Sequence, residues 1–306
     1  MLRKESLIVL VDTANIIHIC FSIAKQQLKK EKGDDYIFRE EDIPFFYHIF
    51  LRKIYNILSA YKNVIFACEG EGSLNWRRSI FPEYKMNRAK RADDEEYKIL
   101  KSLFPKIEHL LSLFRCKIIS VPGAEGDDVI YTLAKKYSEI GENVLVISSD
   151  VDFSQLLNTF NTVQVYTPMF KKYMEPKPNI IMEKAIVGDP SDGIPGIERI
   201  GKKTLEKMLA DRTLWVKKMT PENEKIYKMF LEIIDLSKSP KSIQDDILDK
   251  EETTDYNEFN SDIIEEFFFE NDLKDCLMNW GKVSSEIQLC LSSSDTKAIV
   301  DLEDLF

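Results

Sequence analysis

VPGAEGDDVIYTL, residues 121–133, passes from a strand-like apolar run through a tight glycine turn into an amphipathic helix, and it sets Glu125, Asp127 and Asp128 within four residues. Carboxylates this close repel one another, so a folded chain tolerates them only where cations or solvent compensate. Glu125 and Asp128 are three apart and share a face of the helix they open, whose positive N-terminus favours acids. Taken alone, the stretch reads equally well as a solvated, well-capped helix start. The acids around it decide between the two readings.

Upstream, Ser6 to Val11 (SLIVLV) and Val64 to Cys68 (VIFAC) are short continuous apolar runs rich in branched residues, the pattern of parallel strands buried on both faces. Asp12 follows the first at once, and Glu69 the second. Lys117 to Val121 reads as a third strand and Asn143 to Ser149 (NVLVISS) as a fourth, with Asp150 and Asp152 behind it; Thr162 to Thr167 is a fifth candidate. Helical periodicity runs over 13–30, 41–62 and 95–114. This alternation predicts an α/β fold, a central mostly parallel sheet flanked by helices, with right-handed crossovers. The carboxyl ends of all the parallel strands then share one edge, where ligand sites of such sheets sit. Asp12, Glu69, the Glu125 to Asp128 cluster, Asp150 and Asp152 are expected to converge there.

Two connections stand out. Residues 70–92 have no clear period and hold Trp76, Arg77, Arg78, Tyr84, Lys85, Arg88, Lys90 and Arg91, with six basic residues against one Glu between Trp76 and Arg91. Connections of this length are usually functional or disordered. Gly188 to Thr204, GDPSDGIPGIERIGKKT, follows a helix over 179–187; it opens with Asp189 and Asp192 and ends where a new helix leaves its amides free to meet a phosphate. Further helices are expected over 205–235 and near 262–280, the latter in a more acidic C-terminal part.

Composition sets the bounds. In 306 residues, 44% apolar content allows a sizeable core, and a net charge of -10 argues against a uniformly basic nucleic-acid binder while leaving room for a local basic patch. The five cysteines are scattered inside apolar runs and His18, His48 and His109 lie far apart, which argues against disulfides and zinc and for buried thiols in a reducing cytoplasm. With no secretory signal and no long apolar run, a soluble cytoplasmic protein is expected.

A knot of carboxylates without His or Cys suits Mg²⁺ or Mn²⁺, and so many acids exceed what one ion needs. Two such ions about 4 Å apart activate water and stabilise the leaving oxygen of a phosphodiester. Lys85 and Arg88 can hold the scissile phosphate. Gly196 to Lys202 matches the start of a nucleotide-binding loop, but Lys203 stands where a Ser or Thr is needed and no strand precedes it.

Five ordered blocks carry a resemblance over about residues 7–235: VDTANI at Asp12, FPEYKMNR at 81–88, GAEGDDVI at 123–130, SSDVDFSQLL at 148–157, and Gly188 to Thr204. With them the chain resembles the flap endonuclease or 5'-nuclease family, and within it the phage replication ribonucleases H and phage 5'-exonucleases. The resemblance implies a first metal position at Asp12, Glu69, Glu125 and Asp127, and a second at Asp128, Asp150, Asp152, Asp189 and Asp192. It implies catalytic roles for Asp12, Lys85, Arg88, Asp127, Asp128, Asp150 and Asp152, with Tyr84 stacking on a base. Residues 70–96 would form an arch over the site, within a nuclease core at 1–180. A helix-three-turn-helix module at 181–240 would grip duplex backbone with bound K⁺. Nucleic-acid contacts are expected from Arg77, Arg78, Tyr84, Lys85, Arg88, Lys90, Arg91, Gly196, Gly201, Lys202, Lys203 and Thr204.

Glu69 stands where the family usually has Asp, and Gly126 where it more often has Ala. The expected enzyme is a monomer that removes RNA primers and 5' flaps in lagging-strand replication, in the host cytoplasm if phage-encoded. The helical region at 241–306 ends in IVDLEDLF (299–306), a candidate tail for a sliding clamp. A single-strand DNA-binding protein is a further expected partner. Two other readings compete: a PIN-like RNA endonuclease, and a non-catalytic DNA-binding replication accessory protein.

Overall fold

A computed structural model describes residues 7–91 and 93–292. Six strands form one sheet: β1 (Ile8–Asp12), β2 (Asn63–Ala67), β3 (Lys117–Ile119), β4 (Val144–Ile147), β5 (Val163–Thr167) and β6 (Lys172–Tyr173). Their order is β3-β2-β1-β4-β5-β6, all parallel except β6, a two-residue antiparallel edge strand that the sequence pattern did not announce. In β1 the pleat divides the run cleanly. Val9 and Val11 enter one core, Ile8 and Leu10 the other, so a continuous apolar segment is what burial on both faces requires.

The Val9 face is covered by α1 (Thr13–Lys32), α2 (Ile43–Ala60), α4 (Glu95–Ser112), α12 (Ser261–Glu270) and α13 (Lys274–Ser292). The opposite face is covered by α5 (Gly126–Glu139), α6 (Ser154–Thr159) and α11 (Lys241–Thr253). The C-terminal helices are therefore part of both layers and not an appended region: Ile264, Phe268, Trp280 and Ile287 share the core that buries α2. The helical stretches expected near 262–280 are α12 and α13, separated by a turn in which Asp272 has φ 54°.

Two smaller apolar clusters extend from the rim. α7 (Ile180–Val187) and α10 (Pro221–Ile234) pack with Tyr84 and Ile194, while the turn after α7 packs through Ile197 and Ile200 on α8 (Lys202–Ala210). α9 (Arg212–Lys218) links α8 to α10. The turn's path depends on two glycines in the left-handed region. A Cβ on Gly196 (φ 72°) would lie 2.5 Å from the Gly188 nitrogen, and one on Gly188 (φ 101°) 2.7 Å from the Ile194 oxygen. The long connection after β2 is partly ordered by α3 (Asn75–Ile80) and a 3-10 turn at Met86–Arg91.

Candidate active site

β1 ends on Asp12, in register with Ala67 of β2, and its neighbour Val11 is in register with Ile147 of β4. β1, β2, β3 and β4 thus deliver the acids at or after their carboxyl ends to the same rim, while β5 contributes none. Asp12 also caps α1, accepting from the Asn15 amide at 3.0 Å, so helix and strand jointly fix its carboxylate at the edge. The result is a cleft of about 180 Å³ lined by Asp12, Glu69, Glu125, Asp127, Asp150, Asp152 and Asp192, with Lys85 and Arg88 on its wall.

A hydrogen-bonded scaffold lies beneath the acids. Ser148, fully buried, donates its hydroxyl to Asp12 Oδ2 at 2.7 Å and accepts from the Asp150 amide at 3.0 Å. Asn15 Oδ1 accepts from the Ser149 amide, and Asp150 Oδ1 from the Asp152 amide, both at 2.9 Å. Burial pushes the Asp12 carboxyl up to about 6, with Asp150 and Glu69 adding to the shift against hydrogen bonds from Asn15 and Ser148. Desolvation, then Asp150 and Asp12, raise Asp127 well above the usual carboxylate range. Burial also lifts Asp152 to about 6 despite the nearby Lys184. These are carboxylates brought together with too little positive charge from the chain itself.

The basic residues divide in two. Lys85, held at φ 54° with its amide on the Asp192 carbonyl (2.8 Å), contacts Glu125 Oε1 through Nζ and stands 3.7 Å from Asp192 Oδ1. Arg88, half-exposed, stands 3.7 Å from the same oxygen. Arg77 instead turns inward: it is 1% exposed and donates to Asp128 Oδ1 (2.7 Å), Asp128 Oδ2 (2.9 Å), Glu125 Oε2 (2.8 Å) and the Ile233 carbonyl (3.0 Å). Burial raises Glu125, but Lys85 and Arg77 outweigh it and hold its pKa below the usual range.

This pairing corrects three expectations. Asp128, placed among the metal ligands and catalytic acids from sequence, is fully buried outside the cleft, with both oxygens on Arg77 and one also accepting from the Glu125 amide at 3.0 Å. Arg77, placed on the nucleic-acid surface, is the cation that lets Glu125 and Asp128 lie side by side. Tyr84, expected to stack on a base, is 3% exposed and donates its hydroxyl to Glu125 Oε2 (3.1 Å) and Asp192 Oδ2 (3.3 Å). Arg78 donates to the Tyr84 carbonyl at 3.0 Å. The side chains of Lys90 and Arg91 lie outside the described residues. Gly196 serves packing in the turn, whereas Gly201, Lys202 and Lys203 are exposed at the start of α8, with Thr204 half-buried beside them. Lys202 pairs with Glu183 at 2.9 Å.

Asp189 sits beside the cleft. One oxygen from each of Asp152, Asp189 and Asp192 lies within 4.8 Å of the others, a donor set of hard oxygens suited to a divalent cation. Lys184 of α7 reaches into this group, contacting Asp152 Oδ1 and lying 2.7 Å from Asp189 Oδ2. Burial alone would raise Asp189, yet Lys184 and Ser191 keep it lowered. Lys184, Ser148, Asn15 and the exposed His18 on the cleft wall were not singled out from sequence as site residues. Asn15 was findable three residues beyond Asp12, and Ser148 two before Asp150. Lys184 lies in no recognisable spacing.

The family profile of the 5'-3' exonuclease N-terminal, resolvase-like domain matches residues 7–186. This chain belongs to that 5'-nuclease family. The 5'-3' exonuclease of Aquifex aeolicus (strain VF5) is 33% identical over 174 residues, covering 52% of this chain and 57% of the relative. The DNA polymerase I of Caldicellulosiruptor bescii is 32% identical over 149 residues, 44% of this chain and 17% of the relative. The chain thus spans little more than half the length of the exonuclease relative and a small part of the polymerase. Among solved structures, the bacteriophage T5 5'-exonuclease with bound zinc has a TM-score of 0.54 at 19% identity, covering 80% of this chain and 98% of that one. The T5 flap endonuclease in complex with DNA and metal ions has a TM-score of 0.53 at 19% identity, covering 81% and 100%. At this identity the likeness to both T5 structures is one of fold, and it extends the 5'-nuclease fold well beyond the matched 180 residues.

Proposed function

We propose that this 5'-nuclease family member is a metal-dependent phosphodiesterase acting on DNA, and on RNA in RNA-DNA hybrids, from 5' ends and at 5' flaps. It leaves 5'-phosphate and 3'-hydroxyl ends and removes primers and flaps from the lagging strand. The observation that carries this reading is the meeting of Asp12, Glu69, Asp127, Asp150, Asp152 and Asp192 with Lys85 and Arg88 in one cleft. Divalent ions, Mg²⁺ with Mn²⁺ as substitute, would be held by Asp12, Glu69, Asp127 and Asp150 on one side and by Asp152, Asp189 and Asp192 on the other, Glu125 lying between them. When bound, such ions supply a nucleophilic water at neutral pH and a clamp for the leaving oxygen.

The chain's own groups do the rest. Lys85 and Arg88 orient the scissile phosphate and offset charge growing on its oxygens. Ser148 and Asn15 fix the angle of the acids beneath it. The amides of Gly201 to Lys203, with the Lys202 and Lys203 side chains, take a duplex phosphate at the start of α8. In this reading α7, the glycine turn and α8 are the helix-three-turn-helix, and the turn carries the K⁺. Residues 299–306, which lie outside the described residues, serve in this reading as the tail that engages a sliding clamp.

Product mapping on 5'-labelled and internally labelled flap, nick and hybrid substrates tests this reading. The expected result is cleavage with Mg²⁺ and none with EDTA. Binding without cleavage, or cutting that a chelator leaves untouched, would overturn it and favour a non-catalytic accessory protein or metal-free chemistry.

A further inference from the structure

The two halves of the acid cleft are compensated differently. No ion pair among the described residues takes Asp12, Glu69, Asp127 or Asp150. The Asp152, Asp189, Asp192 group, by contrast, already holds a cation of the chain. The Lys184 side chain is 14% exposed, its Nζ touches Asp152 Oδ1 and it lies 2.7 Å from Asp189 Oδ2.

A divalent ion bonds carboxylate oxygens at about 2.0–2.6 Å. The carboxylates have lone pairs to spare, but an ammonium seated among the same three acids repels the incoming ion. Lysine is suited to giving way, because its point charge sits on a flexible four-carbon stem and makes no rigid bidentate fork. Its root on α7 leads through Gly188 directly into Asp189, so the tether and one of the ligands lie on one short segment.

We infer that Lys184 is a tethered counter-cation for the Asp152, Asp189, Asp192 group, which a divalent ion must expel in order to bind there. The inference rests on the proposed metal-dependent reading. Its consequence is an order of loading. The half around Asp12 and Asp150 fills first, and the half guarded by Lys184 fills last and more weakly, because entry breaks the two ion pairs of a largely buried ammonium. An interaction with a charged group is worth about a decade or more in an equilibrium constant.

The direct test is lysine acetylation of the wild-type chain by a succinimidyl ester, read residue by residue by mass spectrometry with and without Mn²⁺. Lys184 should be protected in metal-free protein and acetylated faster once Mn²⁺ saturates, while Lys202, which pairs with Glu183 at the surface, keeps one rate. Calorimetric Mn²⁺ titration of Lys184→Met should show the weaker class of sites tightened about tenfold or more. Lys184→Met should also lower the melting temperature of metal-free protein, and the loss should shrink when Mn²⁺ is saturating. Mn²⁺ bound at two classes of site with Lys184 protected throughout would overturn the inference and leave the proposed function standing. No Mn²⁺ bound at all would remove both.

Discussion

Ser148 carries no charge and no exposed surface, yet it joins the two strands that build the cleft, donating to Asp12 Oδ2 and accepting from the Asp150 amide. A group that orients a ligand from behind typically controls metal affinity by about 10- to 100-fold. Ser148→Ala should therefore weaken Mn²⁺ binding by about that factor with the fold retained. Calorimetry against circular dichroism separates the two effects, and unchanged Mn²⁺ affinity would deny Ser148 the role. The same residue-level view shows what sequence could and could not say. Asp12, Asp127 and Asp150 were legible because each follows a strand. Asp128 was not separable from Asp127 by type or neighbourhood, since only the helix phase turns one into the cleft and the other onto Arg77. Arg77 sits in a run of six basic residues that reads as surface, and nothing local marks the one that a buried acid pair consumes.

Whole elements are held by similar buried charge. Glu251, near the end of α11, is 4% exposed and accepts from Lys117 (2.6 Å, β3), Lys136 (2.7 Å, α5) and Tyr137 (2.8 Å, α5), tying three elements together. Burial raises its pKa, but Lys117, Lys136 and Tyr137 outweigh burial and hold it below the ordinary 4.5. A carboxylate lowered in the fold binds fewer protons than in the unfolded chain, so it stabilises fully above about pH 4.5 and loses that contribution as pH falls. Denaturation by urea at a series of pH values should show wild type losing stability below about pH 4.5, with Glu251→Gln less stable at pH 7 by about 1–3 kcal/mol and less steep in acid. Parallel curves would reject the latch. α11 falls inside the helical region expected at 241–306 but had no bounds of its own, because its apolar stripe is thin: Ile243 and Ile247 are its only buried apolar residues. β1, β2 and β4 were legible for the opposite reason: burial on both faces leaves an unbroken apolar run that few other settings produce.

At the scale of the molecule, the acidic helical region at 241–306 helps to close the core on the Val9 face of the sheet. Ile264 and Phe268 are fully buried, and Trp280 and Ile287 nearly so, against the helices that cover β1, and Tyr55 of α2 meets Trp280 at a ring distance of 5.7 Å. Such contacts join residues more than 200 apart, which periodicity within a window cannot register. Each fully buried Ile or Phe contributes roughly 1.5–3 kcal/mol, and a whole domain retains only about 5–15 kcal/mol. Three or four such side chains therefore weigh as much as the fold's entire margin. A chain ended at residue 260 should expose the α2 surface, aggregate or unfold, and lose all nuclease activity. A chain ended at residue 292 should melt cooperatively within a few degrees of the full length and cleave an unassisted flap at the same rate. Thermal unfolding and flap cleavage on the two truncations check this. If the shorter chain stayed monomeric, folded and active, the catalytic rim would not depend on the helices that close its far face.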